Sequence, residues 1–248
     1  MYEGIKKIAK AIVPTSIINK HEESLRKLIT FTYKGNKYQC NICEQKLSKF
    51  VKLNNGQDLC PNCGCLPRTR RLFAEISKLD HLDSKSILHF SPPKSFRKKL
   101  SSLNLKNYIT TDYEGEFDAD KKLNIEAISE PDNQYDIIIC YHVLEHISKD
   151  QLAMNELFRI LKPNGTCYIQ TPFKSGEIYE NDAIISKQER LKHFGQDDHV
   201  RIYSANGIKN RLEKAGFKIE INKLELSSEN KNGFAEGDLM IKAKKTIS

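Results

Sequence analysis

The stretch that most constrains the fold is residues 135–147, which read YDIIICYHVLEHI. Its first six residues are rich in β-branched isoleucine, and so short a run predicts a strand buried on both faces of a parallel sheet. The polar residues His142, Glu145 and His146 follow at once. Because ligands of open α/β sheets bind outside the carboxyl ends of the strands, this sequence predicts a functional site directly after the strand.

The residues that follow predict a right-handed βαβ unit. A helix is expected from Asp150 to Leu161, with one apolar face formed by Ala153, Leu157, Ile160 and Leu161. Residues 162–165, Lys-Pro-Asn-Gly, cannot continue a helix, and a second buried strand is predicted from Thr166 to Thr171. Strand, helix and strand within about 35 residues are typical of parallel α/β sheets.

The segment YDIIICYHVLEHI, followed by ELFRILKPNG, resembles class I S-adenosylmethionine-dependent methyltransferases (methyltransferase type 11-like) around their fourth and fifth strands. The resemblance implies an α/β, Rossmann-like fold with a mostly parallel seven-stranded sheet and a C-terminal antiparallel hairpin. One branch of that family combines a cysteine-knuckle module with an LHF-x-P strand end and a distal FGQxDHVRIY stretch, and the chain is similar to it over nearly its whole length. The implied activity is methyl transfer from S-adenosylmethionine.

Two cysteine pairs predict a structural metal. Cys40 and Cys43 form one C-x2-C knuckle, and Cys60 and Cys63 form a second one after sixteen intervening residues. This spacing is typical of zinc ribbons, in which four thiolates bind Zn²⁺ tetrahedrally. Cys65 is a fifth nearby thiol, but Cys63 completes the second knuckle and is therefore the predicted ligand.

The chain is expected to divide into four segments. These are an N-terminal helical segment at 1–36, with a break at 13–16, a zinc ribbon at 37–66, a connecting helix and linker at 67–85, and a methyltransferase domain at 86–248. Within the domain, the other strands are predicted at 86–90, 107–111, 121–125, 217–226 and 238–244, and the other helices at 95–103 and 204–216. Arg68, Arg70 and Arg71 open the connecting helix and either bind an anion or pair with acidic residues.

The resemblance also implies a cofactor site. Asp112 ends the second predicted strand, where such folds place a carboxylate on the ribose hydroxyl groups. Asn124 and Ile125 fall where the family contacts adenine. The full predicted set is Phe90, Ser91, Pro92, Asp112, Tyr113, Asn124, Ile125, Cys140, Tyr141 and His142. The chain departs from the class pattern after its first strand, because residues 91–95 contain no glycine.

The acceptor site is expected on the long connection at 172–200 and just beyond it. This connection is rich in charge, shows no clear periodicity and is too long for an ordinary loop, which predicts a function. Its acceptor-binding candidates are His193, Gln196, Asp198, His199 and Arg201. His142 and His199 are the candidate catalytic residues, each as a general base or as a positioning group.

Charge leaves a second function open. The net charge of +8 lies entirely in residues 1–86, which hold 16 Lys and Arg against 8 Asp and Glu. A small molecule or glycan precursor is the acceptor that the resemblance favours, whereas a basic ribbon also fits an RNA base methyltransferase. A non-catalytic ribbon adaptor is the third reading. Without a signal peptide or an apolar run of about 18 residues, the chain is expected to be cytoplasmic.

Overall fold

The structure is a computed structural model that describes residues 15–226 and 229–246, with the backbone alone for residues 15–21. The expected apolar helix within residues 1–14 lies outside the described residues. The chain forms two compact units. The N-terminal unit contains the described residues up to Leu82 together with 95–102 and 224–238, and the sheet unit contains residues 83–94, 103–223 and those after 238. The predicted domain boundary at residue 86 would instead place residues 95–102 and 224–238 with the sheet.

The N-terminal unit is built from short elements. They are α1 (Thr15–Phe31), β1 (Lys34–Gln39), β2 (Lys46–Leu47), β3 (Val51–Lys52), β4 (Asp58–Leu59), α2 (Pro67–Ile76) and α3 (Lys94–Ser101). Strands β1 and β2 pair antiparallel, as do β3 and β4. Helix α1 starts at Thr15, inside the predicted helix break. Strands this short cannot bury a large apolar core, so the unit needs other sources of stability.

Arg70 is one such source, because its fully buried guanidinium joins three segments of the N-terminal unit. It donates hydrogen bonds to the carbonyl oxygens of Asn232 and Gly233, both at 2.6 Å, and to those of Asp58 and Cys65, both at 3.0 Å. It also lies 4.1 Å from the centre of the Phe50 ring. Arg70 therefore has a structural role, and its guanidinium is not available to an anionic ligand.

We expect Arg70→Met to destabilise the N-terminal unit by about 3–5 kcal/mol, because it leaves two buried and two partly buried carbonyl oxygens without their donor. The matched control is Arg68→Met, which removes the same group from a partly exposed site and should cost less than about 1 kcal/mol. Urea unfolding followed by far-ultraviolet circular dichroism compares the two variants. Equal shifts of the unfolding midpoint would contradict the structural role.

The sheet unit contains a six-stranded sheet. Its strands are β5 (Ser86–Phe90), β6 (Asn107–Thr111), β7 (Tyr135–Tyr141), β8 (Leu161–Gln170), β12 (Lys218–Lys223) and β13 (Leu239–Lys244), in the order β12-β13-β8-β7-β5-β6. Strands β5 to β8 are parallel, whereas β13 pairs antiparallel with both β8 and β12. Helix α4 (Asp150–Ile160) crosses from β7 to β8. The predicted Rossmann-like fold and its C-terminal hairpin are confirmed.

The predicted third strand at Lys121–Ile125 is wrong, which leaves six strands instead of seven. The segment forms a single bridge, between Thr111 and Lys121. Beyond it, the Leu123 amide donates to the Thr111 hydroxyl at 3.0 Å, and the Asn124 side chain accepts the Glu126 amide at 3.0 Å. These side chains take hydrogen bonds that a strand ladder would need, so the segment turns away.

The connection at 172–200 is more ordered than its sequence predicted. It contains β9 (Phe173–Lys174), β10 (Tyr179–Glu180) and α5 (Lys187–Phe194), and is followed by β11 (Arg201–Ser204) and α6 (Ala205–Lys214). A capping box between Ser186 and Glu189 begins α5, and Gly195 ends it at a φ of 85°. Strand β11 lies between β10 and β9 in a small second sheet. No helix in the described ranges is long and apolar enough to cross a bilayer.

Candidate active site and thiolate cluster

Four parallel strands end at one edge of the large sheet, and polar side chains follow them there. Phe90 at the end of β5 lies beside Thr111 of β6 and Cys140 of β7, and Tyr141 lies beside Gln170 of β8. The register therefore brings the residues after these strands together, which is where ligands of such sheets bind.

Ser91 and Asp112 form the first pair at this edge. Ser91 has a φ of 45°, a left-handed conformation that glycine ordinarily adopts, and its amide donates to the Thr111 carbonyl at 2.7 Å. Its hydroxyl donates to Asp112 Oδ1 at 2.8 Å. The tight turn after β5 is thus present without glycine, and the serine side chain binds the carboxylate on the neighbouring strand.

Asp112 also orders the loop that follows it. The carboxylate is 7% exposed, and its Oδ2 accepts the amides of Gly115 at 2.7 Å and Phe117 at 3.3 Å. A carboxylate offers about four acceptor positions, and three of them are used by Ser91 and this loop. About one position therefore remains for a ribose hydroxyl, instead of the two that recognition of both diol hydroxyls would use.

The other predicted cofactor residues differ in exposure. Phe90, Pro92, Ile125 and Cys140 are buried, Tyr141 and His142 are partly buried, and Tyr113 and Asn124 are exposed. The Asn124 amide oxygen accepts the Glu126 amide, so one of its acceptor positions is already used. The register places Phe90, Pro92 and Cys140 at or beside adjacent strand ends, whereas Asn124 and Ile125 lie in the turn that replaces the third strand.

His142 and Glu145 form the central pair of the site. His142 follows β7 with a φ of 54°, and its amide donates to the Gln170 carbonyl at 2.8 Å. A single 3₁₀ turn, Leu144–His146, brings Glu145 Oε1 to 3.0 Å from His142 Nδ1. The His142 side chain is 27% exposed, but its Nε2 is buried and has no hydrogen-bond partner among the described residues. The pair therefore orients the imidazole and leaves Nε2 as its unpartnered nitrogen.

Glu145 is a buried carboxylate in an ionised state. Burial alone would raise its pKa, but the hydrogen bond and charge of His142 outweigh that effect and hold the pKa of Glu145 below its usual range. An ionised carboxylate on Nδ1 fixes the imidazole tautomer and stabilises the imidazolium that forms when Nε2 accepts a proton. The His-x-x-Glu spacing is the sequence signal for this pair, because one helical turn brings residues i and i+3 together.

His146 and His199 belong to the same cluster, although they lie far apart in the sequence. Their rings pack edge to face with centres 4.6 Å apart, and Asp198 Oδ2 lies 3.0 Å from His146 Nδ1. His199 is 2% exposed, and burial, together with the charge of His146, lowers its pKa. The structure thus brings the residues after β7 together with the distal stretch before β11.

Arg201 holds that arrangement in place. Its guanidinium donates to the carbonyl oxygens of Leu144, Ile147 and Ser148, and its Nε donates to Glu180 at 2.7 Å. These contacts fit a positioning role better than the predicted acceptor binding. Glu180 was not predicted, because it lies on a strand of only two residues and no sequence motif surrounds it.

The other predicted acceptor residues are spread along the connection. His193 Nδ1 lies 2.6 Å from the Tyr179 hydroxyl, which gives this histidine a partner of its own. Gln196 is exposed, as is Asp198 beside His146. Thr171, directly after β8, was not predicted; it is 3% exposed, and its hydroxyl has no partner in the described part of the chain.

The five N-terminal cysteines lie together in the N-terminal unit. The sulfur atoms of Cys40, Cys60, Cys63 and Cys65 all lie within 4.8 Å of one another, whereas Cys43 lies 3.7 Å from Cys60. Hydrogen bonding among the thiols lowers the pKa of Cys40, chiefly through Cys43, and that of Cys60, chiefly through Cys40, to about 4. Burial raises the pKa of Cys65 well above its usual range.

The backbone makes the two knuckles equivalent. The Cys40 amide donates to the Gln45 carbonyl, and the Cys60 amide donates to the Cys65 carbonyl in the same way. Residues Glu44 and Gly64 both have left-handed φ values, of 60° and 73°. Cys43 is therefore the counterpart of Cys63, and Cys65 is the counterpart of Gln45.

The sulfur distances and the backbone of the knuckles favour different fourth ligands. Bonds of about 2.3 Å in a tetrahedral zinc–thiolate site place neighbouring sulfurs about 3.8 Å apart. Cys40 and Cys63 lie 3.7 Å apart, as do Cys43 and Cys60, whereas Cys40 and Cys65 are closer, at 3.3 Å. The donor set fits Zn²⁺. The mutual proximity of the sulfurs favours Cys40, Cys60, Cys63 and Cys65 as its ligands, whereas the equivalent backbone of the two knuckles favours Cys43 in place of Cys65.

Comparison with known proteins agrees with this geometry. The profile of a family described as a methyltransferase domain matches residues 69–221, which is more than half of the chain. A methyltransferase of known structure from Archaeoglobus fulgidus, described as S-adenosylmethionine-dependent, has 17% identity and a TM-score of 0.51 over 72% of this chain and 93% of its own. At that identity the likeness concerns the fold.

Two curated relatives match shorter segments. The ubiquinone biosynthesis O-methyltransferase of Rickettsia bellii is 31% identical over 40% of this chain and 41% of its own length. A probable S-adenosylmethionine-dependent methyltransferase of Mycolicibacterium smegmatis is 28% identical over 39% of this chain and 34% of its own. The chain thus matches well under half the length of these relatives. The match across residues 69–221 and the Rossmann-like sheet together show that the chain belongs to the methyltransferase-domain family.

Proposed function

We propose that this protein is an S-adenosylmethionine-dependent methyltransferase that acts on a hydroxyl group of a small molecule or glycan precursor. The observation that carries the proposal is the His142–Glu145 pair, whose buried Nε2 has no partner among the described residues and lies at the strand edge where the family places its cofactor. The O-methyltransferase from Rickettsia bellii supports an oxygen acceptor. An oxygen acceptor needs a base to remove its proton, and the pair supplies one.

The residues at the strand ends fit the cofactor. The remaining acceptor position of Asp112 would bind one ribose hydroxyl, and the left-handed turn at Ser91 would lie beside it. Cys140 and Tyr141 would line the opposite side, with Asn124 and Ile125 near the adenine. When bound, S-adenosylmethionine supplies an electrophilic methyl group on a sulfonium sulfur.

His142 would then act on the acceptor. Its Nε2 would accept the hydroxyl proton as the acceptor oxygen bonds to the methyl carbon, and Glu145 would stabilise the imidazolium that results. His142 has a left-handed backbone, so the chain leaves the regular pleat of β7 at this residue. His193, Gln196, Asp198 and His199 would form the acceptor side of the site.

A single structural Zn²⁺ would be held by Cys40, Cys43, Cys60 and Cys63. The equivalent knuckles and the 3.7 Å sulfur distances support this set. A closed four-thiolate site has no open position and does no chemistry. For RNA binding the same unit offers less than its charge indicates, because Arg70 and Arg71 are buried and bind Asn232, Gly233 and Asp238.

The test of the proposed function is methyl transfer from labelled S-adenosylmethionine to fractionated small molecules, glycan precursors and RNA. We expect label in a small-molecule or glycan fraction, at a hydroxyl oxygen identified by mass spectrometry. Label confined to RNA would replace the proposed acceptor. Calorimetry without detectable binding of S-adenosylmethionine would rule out a methyltransferase function and favour a ribbon adaptor.

We expect Asp112→Ala to weaken binding of S-adenosylmethionine by roughly 10- to 150-fold, which corresponds to the ~1.5–3 kcal/mol of a hydrogen bond to a charged acceptor. Glu116→Ala removes a carboxylate from the same loop, where Glu116 is exposed, and should leave the affinity unchanged. Asp112→Asn keeps one side-chain oxygen. It therefore distinguishes loss of the ribose contact from loss of order in the loop that Asp112 holds. Calorimetry measures all three, and equal affinities for parent and Asp112→Ala would place the ribose elsewhere.

A further inference from the structure

Three side chains of the types that bind metals meet beside His142, apart from the thiolate cluster. Glu145, His146 and His199 each offer a ligand atom, and these atoms all lie within 4.8 Å of one another. Two come from the turn after β7 and the third from the residue pair before β11, so the fold itself assembles the group. None is needed for the sheet hydrogen bonds.

The cluster contains buried polar atoms that no described residue satisfies. His199 is 2% exposed, and neither of its ring nitrogens makes a well-formed hydrogen bond with a described residue, although the backbone of Phe194 interacts with one of them. Glu145 has no exposed surface, and His142 is the only ion-pair partner of its carboxylate in the described part of the chain. A buried polar group without a partner costs about 1–3 kcal/mol, so a ligand that binds these atoms would remove that cost.

The groups around the cluster resemble the outer contacts of a metal site. Metal-binding histidines ordinarily donate their second ring nitrogen to a carboxylate, which orients the ring. Asp198 occupies that place for His146, at 3.0 Å from Nδ1, and leaves Nε2 for a metal. The Glu145 oxygen that binds His142 leaves its other oxygen for the same ion.

We propose that Glu145, His146 and His199 bind a divalent transition-metal ion of the Zn²⁺ class, at a site distinct from the thiolate cluster. Two imidazoles and one carboxylate are a donor set of catalytic zinc sites, which keep a further position open. The open position would face the acceptor. The catalytic role of the ion rests on the proposed function: an acceptor oxygen bound to the ion would lose its proton more readily to His142.

The site therefore predicts the kind of acceptor. A hydroxyl with a second oxygen on the neighbouring carbon, as in a vicinal diol or a catechol, could bind the ion and present one oxygen to His142. An isolated amine or thioether would gain nothing from this arrangement. The ion thus requires a second oxygen in the acceptor, whereas His142 alone would require only one hydroxyl group.

The test is the number of Zn²⁺ ions bound by the full chain after saturation and dialysis, measured by plasma emission spectrometry. We expect two ions per chain in the parent and one in both His199→Ala and His146→Ala. His146 is 30% exposed, so its variant covers the case in which His199→Ala does not fold. His193→Ala, in which the lost histidine has Tyr179 as its partner, should keep two ions.

A matched pair of carboxylates tests the outer contact. Asp198→Asn should weaken the second ion roughly 10- to 100-fold, the range for losing an outer-shell partner, whereas Asp197→Asn at the adjacent exposed position should not. Cobalt substitution identifies the ion that is lost, because the thiolate cluster gives intense sulfur-to-metal absorption and the histidine site does not.

One Zn²⁺ in the saturated parent, or two ions in both His199→Ala and His146→Ala, would overturn the proposal. Metal counting needs no methyl transfer, so the two proposals can fail separately. A parent that binds two ions but no S-adenosylmethionine would remove the proposed function and leave the metal site standing.

Discussion

Cys60→Ser should release the thiolate-bound zinc and unfold the N-terminal unit. Structural zinc in small modules contributes an apparent ~10–16 kcal/mol, which exceeds the total stability of a typical domain. The strands of the unit are only two to six residues long, and the metal would join the two knuckles that connect them. We expect loss of the sulfur-to-metal absorption in the cobalt form, together with a sharp fall in soluble yield.

The two candidate fourth ligands provide the control. Cys43→Ser should lose the metal as Cys60→Ser does, since the equivalent knuckles place Cys43 opposite Cys63. Cys65→Ser should keep it, because Cys65 occupies the position of Gln45 and its sulfur already lies 3.7 Å from the Arg70 guanidinium. The opposite result, with metal kept in Cys43→Ser and lost in Cys65→Ser, would assign the site to Cys40, Cys60, Cys63 and Cys65.

The sheet could be predicted from the sequence because its information is local. An isoleucine-rich run, an amphipathic helix and a Lys-Pro-Asn-Gly breaker identify β7, α4 and β8 with little dependence on the rest of the chain. The segment Lys121–Ile125 was predicted as a strand for the same reason. Its conformation depends instead on hydrogen bonds to the Thr111 hydroxyl and the Asn124 side chain. The hydrophobic periodicity of the sequence does not predict such bonds.

The residues of the candidate site could be proposed from the sequence, but their arrangement could not. The 56 positions between His142 and His199 carry no signal that the stretch before β11 would pack against the turn after β7. That proximity depends on Arg201, which binds three carbonyl oxygens of the turn after β7. Arg201 was predicted to bind the acceptor because the sequence does not distinguish a buried structural arginine from a ligand-binding one.

The missing glycine after β5 has a physical explanation in the structure. The turn needs a left-handed residue whichever side chain it carries, and Ser91 adopts that conformation at a φ of 45°. Its hydroxyl offsets part of the strain by binding Asp112. Glycine is therefore replaced by a residue that links the first two strand ends.

Replacing His142 should lower kcat by roughly 10²- to 10⁴-fold, the range for loss of a general base, with little change in the affinity for S-adenosylmethionine. The choice of substitution matters because residue 142 has a φ of 54°. Alanine is strained there, whereas asparagine tolerates the left-handed conformation and cannot act as a base. We therefore expect His142→Asn and His142→Ala to lose similar activity, and His142→Asn to keep the stability of the parent.

The pH profile and Glu145 supply independent checks on the same assignment. A base acts only when it is unprotonated, so the parent kcat should rise with pH and both His142 variants should lose that limb. Glu145→Gln keeps the side-chain shape but removes the charge that stabilises the imidazolium, so it should lower kcat while His142 remains in place. A His142→Asn enzyme that keeps its rate and its pH limb would contradict the assignment. The acceptor would then lose its proton to another group, or would be a neutral nitrogen or sulfur nucleophile that needs no base.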